Sequence, residues 1–351
     1  MSIPRFILAT MICGTALFSA IPHSNAVDQI VRISDNATFR GEFTGMTSES
    51  VVIKLTSGKT ETISVADIGL VRFDQEPLQL SQARSNERTA LDTAIEKYKA
   101  IQGEYNGADK RLVTELKFLI ARAEVKLAMA DPTQAESALT SIRTFRSSEK
   151  ANFRYLEATL LEALLTAASG NPEAAKVLLQ EIRTSPVPGF QLQAGVQLGR
   201  LLLNAGDASA ALAAFDEVVQ QSTDPSMKSA HFDGLLGRAL CFQKQDKTTE
   251  ALAVIDEVLT KVSESDTRVL AEAYLHKGEC LRQQNQAKAA LMAYLHVDVL
   301  YSSEPAEHAQ SLYFLSELWG PAGHQDRADE AASRLREKYP NSPWAKQLKG
   351  G

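Results

Sequence analysis

The sequence has no long run of lysine or arginine, and its formal net charge is -6. A chain built to neutralise phosphodiester backbones needs the opposite balance, so nucleic acid is not the expected partner. Catalytic signatures are missing too. There is no GxSxG elbow, no GxGxxG after a strand and no HExxH pair, which removes those chemistries in their recognisable forms. Cysteine is scarce, with Cys13, Cys241 and Cys280 the full set, and aromatics make up only 7% of the chain. A hydrophobic content of 44% and a charged content of 23% are nonetheless those of folded soluble protein rather than of disorder. Nothing implies a cofactor. At 351 residues the chain exceeds the usual single-domain size, so two units or one elongated array are expected.

Apolar runs are short as well. The segment from Phe6 to Ala20 follows Arg5 and is broken by Pro22 before Ser24-Asn25-Ala26. It falls short of the roughly 20 residues a spanning helix needs and has the layout of a secretory leader cleaved after Ala26. Residues 1–26 are therefore expected to be a signal peptide. The mature chain would be exported, periplasmic and without a stable membrane span; a retained leader would leave it membrane-associated. Ile12 stands before Cys13 where a lipoprotein leader carries a small residue, so lipid attachment is not expected there.

What is present falls into two regions of different period. Between Asp28 and Phe73 the pattern alternates, as in Ile30-Val31-Arg32-Ile33 and Val51-Val52-Ile53-Lys54-Leu55, with turn residues at Ser34-Asp35-Asn36, Thr44-Gly45 and Ser57-Gly58-Lys59. Five strands are predicted, over 28–33, 37–43, 49–55, 60–65 and 69–73. So few residues in so many strands suit a small antiparallel barrel whose edges close on each other. Residues 27–77 are accordingly expected to form that barrel, with Gly41 where the second strand bends, and the run resembles the small barrels of Sm-like and SH3-like type. Thr56-Ser57-Gly58-Lys59-Thr60 matches the end of a phosphate-binding loop, but position 53 is Ile where that loop needs Gly, and the segment joins two strands; it reads as a hairpin turn.

From residue 78 to 351 the period is helical and the pattern repeats. The small residue after each turn gives the series Ala94, Ala135, Ala175, Ala211, Ala251, Ala290 and Ala328, at intervals of 36 to 41. Larger residues follow at i+4 and i+7, as in Phe215 with Val218, on one helical face. Twelve residues before each alanine from the second onward stands another small residue: Ala123, Ala163, Gly199, Ala239, Gly278 and Ser316. Small side chains there let two helices of a hairpin approach closely. Asp131-Pro132, Gly170-Asn171-Pro172, Gly206-Asp207 and Gly323 supply the turns between paired helices.

Leu198-Gly199, Leu202, Gly206-Asp207, Ala211 and Phe215 follow the order of small, large and turn residues found in tetratricopeptide repeats, and the resemblance extends over about 270 of the 351 residues. It implies a mostly α fold: a solenoid of about seven helical hairpins behind the small barrel. The ending Tyr339-Pro340-Asn341-Ser342-Pro343 looks like that of periplasmic repeat proteins of outer-membrane assembly and the Tol system, and Ser342 as cap with Pro343 at the first helical position accounts for it locally.

The resemblance also implies a non-enzymatic scaffold or adaptor that binds a protein or peptide partner along its first helices; the alternatives are a self-assembling structural component of the cell envelope and an envelope enzyme or metal-dependent factor whose site no motif marks. Two rows flank the small residues. One reads Ile120, Leu160, Val196, Leu236, Leu275 and Tyr313; the other reads Glu124, Leu164, Arg200, Leu240, Glu279 and Glu317. Partner binding is assigned to Leu164, Arg200, Leu240, Glu279, Glu317 and Tyr313, where aliphatic anchors alternate with charges. Family members that clamp a terminal carboxylate use Lys and Asn in such places, and neither occurs in these rows. His276, Glu279 and Cys280 share a helix face, yet a zinc site wants more ligands than this, so no metal is expected. Cys241 and Cys280 hold equivalent places on successive first helices, about 8–10 Å apart. That is too far for a disulfide.

Overall fold

The computed structural model describes residues 27–74, 76–105 and 109–348. The leader expected over residues 1–26 lies outside the described residues. Five strands come first: β1 Asp28–Arg32, β2 Thr38–Met46, β3 Ser50–Leu55, β4 Thr60–Ser64 and β5 Ile68–Arg72, within a residue or so of expectation except that β2 runs on to Met46. All neighbours are antiparallel, in the order β4-β3-β2-β1-β5.

The expected barrel does not close. β4 and β5 stand at opposite edges of an open sheet. Its apolar face, with Ile30, Val51, Ile53, Ile63 and Val71 buried, already has a cover, because those residues share one continuous core with Leu80, Ala83, Leu112 and Leu116 of the helices that follow. A sheet so covered gains nothing by curling onto itself. The exposed edge is managed locally: Arg84 donates to the Val71 carbonyl at 2.9 Å, and the edge strands are short. Gly41 is needed for approach, since a Cβ there would lie 2.0 Å from the Lys54 carbonyl oxygen on β3. Asp28 fixes the sheet on the array, accepting from the backbone of Phe43 and Asp74 and from the Arg111 guanidinium at 2.7 Å.

The helices pair as hairpins: α1 Leu78–Asn86 with α2 Leu91–Glu104, α3 Lys110–Ala130 with α4 Ala135–Ser148, α5 Tyr155–Ala168 with α6 Pro172–Arg183, and α7 Pro188–Asn204 with α8 Ala208–Gln221. They continue as α9 Lys228–Lys244 with α10 Thr248–Lys261, α11 Thr267–Gln283 with α12 Ala287–Leu300, and α13 Pro305–Trp319 with α14 Gln325–Lys338; the short α15 Pro343–Gln347 ends the described array. One left-handed residue stands two places before each of α6, α8, α10, α12 and α14: Gly170, Gly206, Asp246, Asn285 and Gly323. Glycine tolerates that conformation best, and Asn and Asp next, which is why the turns at Gly170, Gly206 and Gly323 read from the sequence while those at Asp246 and Asn285 did not.

The turn between α3 and α4 differs, a 3-10 turn over Pro132–Gln134 taking its place. This corrects the second alanine of the series. Ala138, not Ala135, is the fourth residue of its helix, like Ala94, Ala175, Ala211, Ala251, Ala290 and Ala328 in theirs. All seven are at most 4% exposed. They sit where paired helices cross, and the first helix answers with its own small residues: a Cβ on Gly199 would come 2.7 Å from the Phe215 ring, and one on Gly278 2.6 Å from that of Tyr294. Phe215 is gripped from the next repeat as well, by Gly237 at 2.3 Å on the same measure.

Candidate functional site

The first helices α3, α5, α7, α9, α11 and α13 pack side by side in one surface, and the two rows read from the sequence lie differently on it. Val196, Leu236 and Leu275 are buried in the cores between repeats, as is Ile120. Leu160 is half-buried, and packs against the sheet-side core. In the other row Leu164, Arg200, Leu240 and Glu279 are half-buried and Glu317 is exposed. Glu124 pairs with Lys99 of α2 at 2.7 Å, so on α3 this row faces the neighbouring hairpin instead. Tyr313 is half-buried under the cap, its ring 5.3 Å from that of Trp344 on α15.

Around this row the structure adds Glu272, Arg268, Asp233 and Gln310, which pattern reading missed, to His276 and Glu279, which it had placed on one helix face. On α11, Glu272, His276 and Glu279 stand at i, i+4 and i+7, one face of the helix. Arg200 of α7 pairs with Glu272 at 3.0 Å. Arg268 pairs with Asp233 of α9 at 2.8 Å and with Glu272 at 3.3 Å. His276 lies 3.3 Å from Glu279 and 3.8 Å from Glu272, while Gln310 of α13 donates to Glu279 at 2.6 Å. Neighbouring helices pack about 8–10 Å apart, so a flat row would stretch the Arg200–Glu272 pair across two spacings. The pair marks this face as the inside of the curve. Two signals pointed to the network, the i, i+4, i+7 spacing and its continuation from Asp233 through Gly237 to Leu240 on α9, and neither matches a repeated residue type.

Electrostatics within the groove are set by partial burial. For His276, burial works against the charge, but the carboxylates of Glu272 and Glu279 outweigh it and push the imidazole up to about 9. It is therefore an imidazolium at neutral pH. Burial also opposes the Glu272 charge, and His276, Arg200 and Arg268 more than offset it, drawing that carboxyl down to about 2. Asp233 and Glu307 shift the other way, chiefly through burial, with the Glu272 charge adding to it. The groove thus holds both signs, with acid crowded toward α11 and α13.

Between α5 and α7 the same face opens into a cavity of about 490 Å³, lined by Leu164, Arg200, Ala163, Leu179, Leu201 and neighbours. This is within the range of sites that take a ligand or an inserted side chain. The structure thereby brings Leu164 and Arg200 together on one opening. Among the described residues no group of three or more His, Cys, Asp and Glu side chains is placed to hold a metal ion. Cys241 and Cys280 are buried free thiols, pushed up by burial to about 11 and about 12. Ser57-Gly58 forms the turn between β3 and β4, with Gly58 at a φ of 88°.

No known family profile and no characterised protein matches the sequence. Solved structures do. A tetratricopeptide repeat protein from Parabacteroides merdae superposes with a TM-score of 0.52 at 15% identity, over 76% of this chain and 96% of that one. The array has the tetratricopeptide fold. Two further likenesses are weaker: the quorum sensor NprR from B. thuringiensis, with a TM-score of 0.49 at 13% identity over 77% of this chain and 76% of that one, and PilW, a type IV pilus biogenesis factor, with 0.42 at 15% over 65% and 97%. Within the tetratricopeptide array the row through Leu164, Arg200, Leu240 and Glu279 lies on the inner helices. Among the described residues, no helix is long and apolar enough to cross a membrane.

Proposed function

We propose that the protein is an exported, non-enzymatic scaffold that holds a protein or peptide partner in the groove formed by its first helices, centred on α5 to α11. The observation that carries this reading is the surface itself: half-buried Leu164 and Leu240 alternate with Arg200 and Glu279 at equivalent places, beside a cavity of about 490 Å³. Partly desolvated aliphatic anchors supply affinity, and flanking charges set orientation and encounter rate. A face meant only for internal packing would not keep such charges half-open. Export rests on the leader pattern of residues 1–26.

The test is capture of partners from envelope extract by the chain from Val27 to Gly351, alongside Leu240→Ala and Arg200→Glu variants. Weaker retention by Leu240→Ala and slower, salt-altered association of Arg200→Glu are expected, both with unchanged helical content. Undiminished capture by both variants would place the partner elsewhere.

A further inference from the structure

At the sheet end of the array a second cavity, of about 430 Å³, opens between β5, α1 and α3. Its lining is basic although the chain as a whole is acidic. Arg84 forks onto Glu76, Arg122 and Lys126 share Glu87, and Arg154 forks onto Glu115 and reaches Glu157. These carboxylates are already well occupied: Glu87 alone accepts from Arg122 twice, from Lys126 and from the Tyr98 hydroxyl. Counting Arg72 and Arg88, six cationic side chains line the cavity against four carboxylates that line it or pair with them, which leaves two positive charges. Arg72 on β5 and Arg88 just after α1 are the groups left over. Both are exposed, and among the described residues neither guanidinium has a partner. Ser81 and Ser85, one turn apart on α1, line the same wall with hydroxyls that likewise make no hydrogen bond among the described residues.

We propose that this cavity is a phosphate site, in which the guanidinium forks of Arg72 and Arg88 take the oxygens of a phosphate group and Ser81 and Ser85 donate to it. A phosphate monoester carries about -1.5 to -2 charges at neutral pH, which matches the two positive charges left in the lining. Guanidinium groups suit bidentate contact with its oxygens. The bridging carboxylates hold Arg84, Arg122, Lys126 and Arg154 in the wall of the cavity, so the exposed Arg72 and Arg88 are the groups free to turn onto a ligand. Because it uses β5 and α1, outside the α5 to α11 groove, it stands whether or not that groove holds a peptide.

Isothermal titration of the chain from Val27 to Gly351, in low-salt buffer, tests it with inorganic phosphate, glycerol 3-phosphate and succinate as separate probes. Saturable binding at one site is expected for a phosphate probe, at least about tenfold weaker in Arg72→Gln/Arg88→Gln. That variant should melt and fold as the parent does, since both side chains are exposed and surface substitutions usually shift stability little. Lys176→Gln, exposed on α6, should bind as the parent does. Tighter binding of glycerol 3-phosphate would assign an organic phosphate, and tighter binding of inorganic phosphate the free ion. The proposal fails if neither phosphate probe saturates, if the double variant binds equally well, or if succinate binds more tightly than both.

Discussion

Arg200 on α7 pairs with Glu272 on α11 at 3.0 Å, passing the intervening helix α9. This contact joins inner helices two repeats apart and ties together the groups that fill the groove. Arg200 is 39% exposed, so the pair itself is worth little to stability, under about 1 kcal/mol once solvent screening is allowed for. Its larger role is to hold a guanidinium at the mouth of the Leu164 cavity.

Charge reversal at that pair should therefore separate folding from recognition. Arg200→Glu sets two carboxylates against each other, and a loss of at most about 1 kcal/mol is expected in urea titration. Partner association, followed at 50 and 300 mM salt, should slow and change its salt dependence. A loss several-fold larger, with unfolding of the array, would make Arg200 a structural post rather than a recognition group.

Protonated His276 makes the groove sensitive to pH. Its folded value of about 9 lies above the ordinary 6.5, so the stabilisation is complete below about 6.5 and disappears as pH rises through about 9. Hydrogen bonds between charged groups contribute about 1.5–3 kcal/mol. Unfolding midpoints of the parent and His276→Gln should differ by that order at pH 6 and converge by pH 10. A difference that grows with pH contradicts the assignment of an imidazolium between Glu272 and Glu279.

Overpacking should discriminate between two alanines on α8. Ala211 is fully buried where α8 crosses α7, and Ala213 is exposed. Ala211→Leu is expected to cost about 1–3 kcal/mol, whereas Ala213→Leu should stay within about 0.5 kcal/mol of the parent. Equal denaturation midpoints would count against the shared crossing position of the alanine series.

Thiol chemistry gives an independent check on the repeat register. Cys241 and Cys280 lie in separate cores on α9 and α11, buried and unbridged. A thiol reagent at pH 8 should label neither in the native chain from Val27 and both after denaturation without reductant. No labelling in denatured protein would reveal a disulfide and a different packing of these helices.

Much of this fold was legible because its local signals are unambiguous. Alternation and turn residues located the five strands, and the left-handed turn positions at Gly170, Gly206 and Gly323 phased three of the seven hairpins. Closure of the sheet was not legible, since it depends on whether another element covers the apolar face, and α1 with α3 does so here. The slip from Ala138 to Ala135 has a similar cause: the 3-10 turn at Pro132–Gln134 changes the turn geometry without changing the turn composition. In the groove, spacing picked out Leu164, Arg200, Leu240 and Glu279, but not that Val196 and Leu236 turn into the core or that Trp344 covers Tyr313. His276 was legible only as a partner of Glu279 and Cys280 on one helix face, and Glu272 not at all, because their counterparts on α9 are Asp233 and Gly237 and no residue type repeats. The shared core also means that deleting residues 27–77 would uncover Leu80 and Ala83, so loss of partner binding in such a truncation would reflect unfolding.

Site-specific photo-crosslinking tests the central claim most directly. A photoreactive residue replacing Leu240 in the groove, and another replacing Val177 on α6, which is 70% exposed, would be placed in separate chains and irradiated in cells. The account predicts a discrete adduct with a partner protein from position 240 and none from 177, with the 240 adduct weakened by Arg200→Glu. Adducts from 177 alone, or none from 240 while the partner still co-purifies, would contradict binding in the groove.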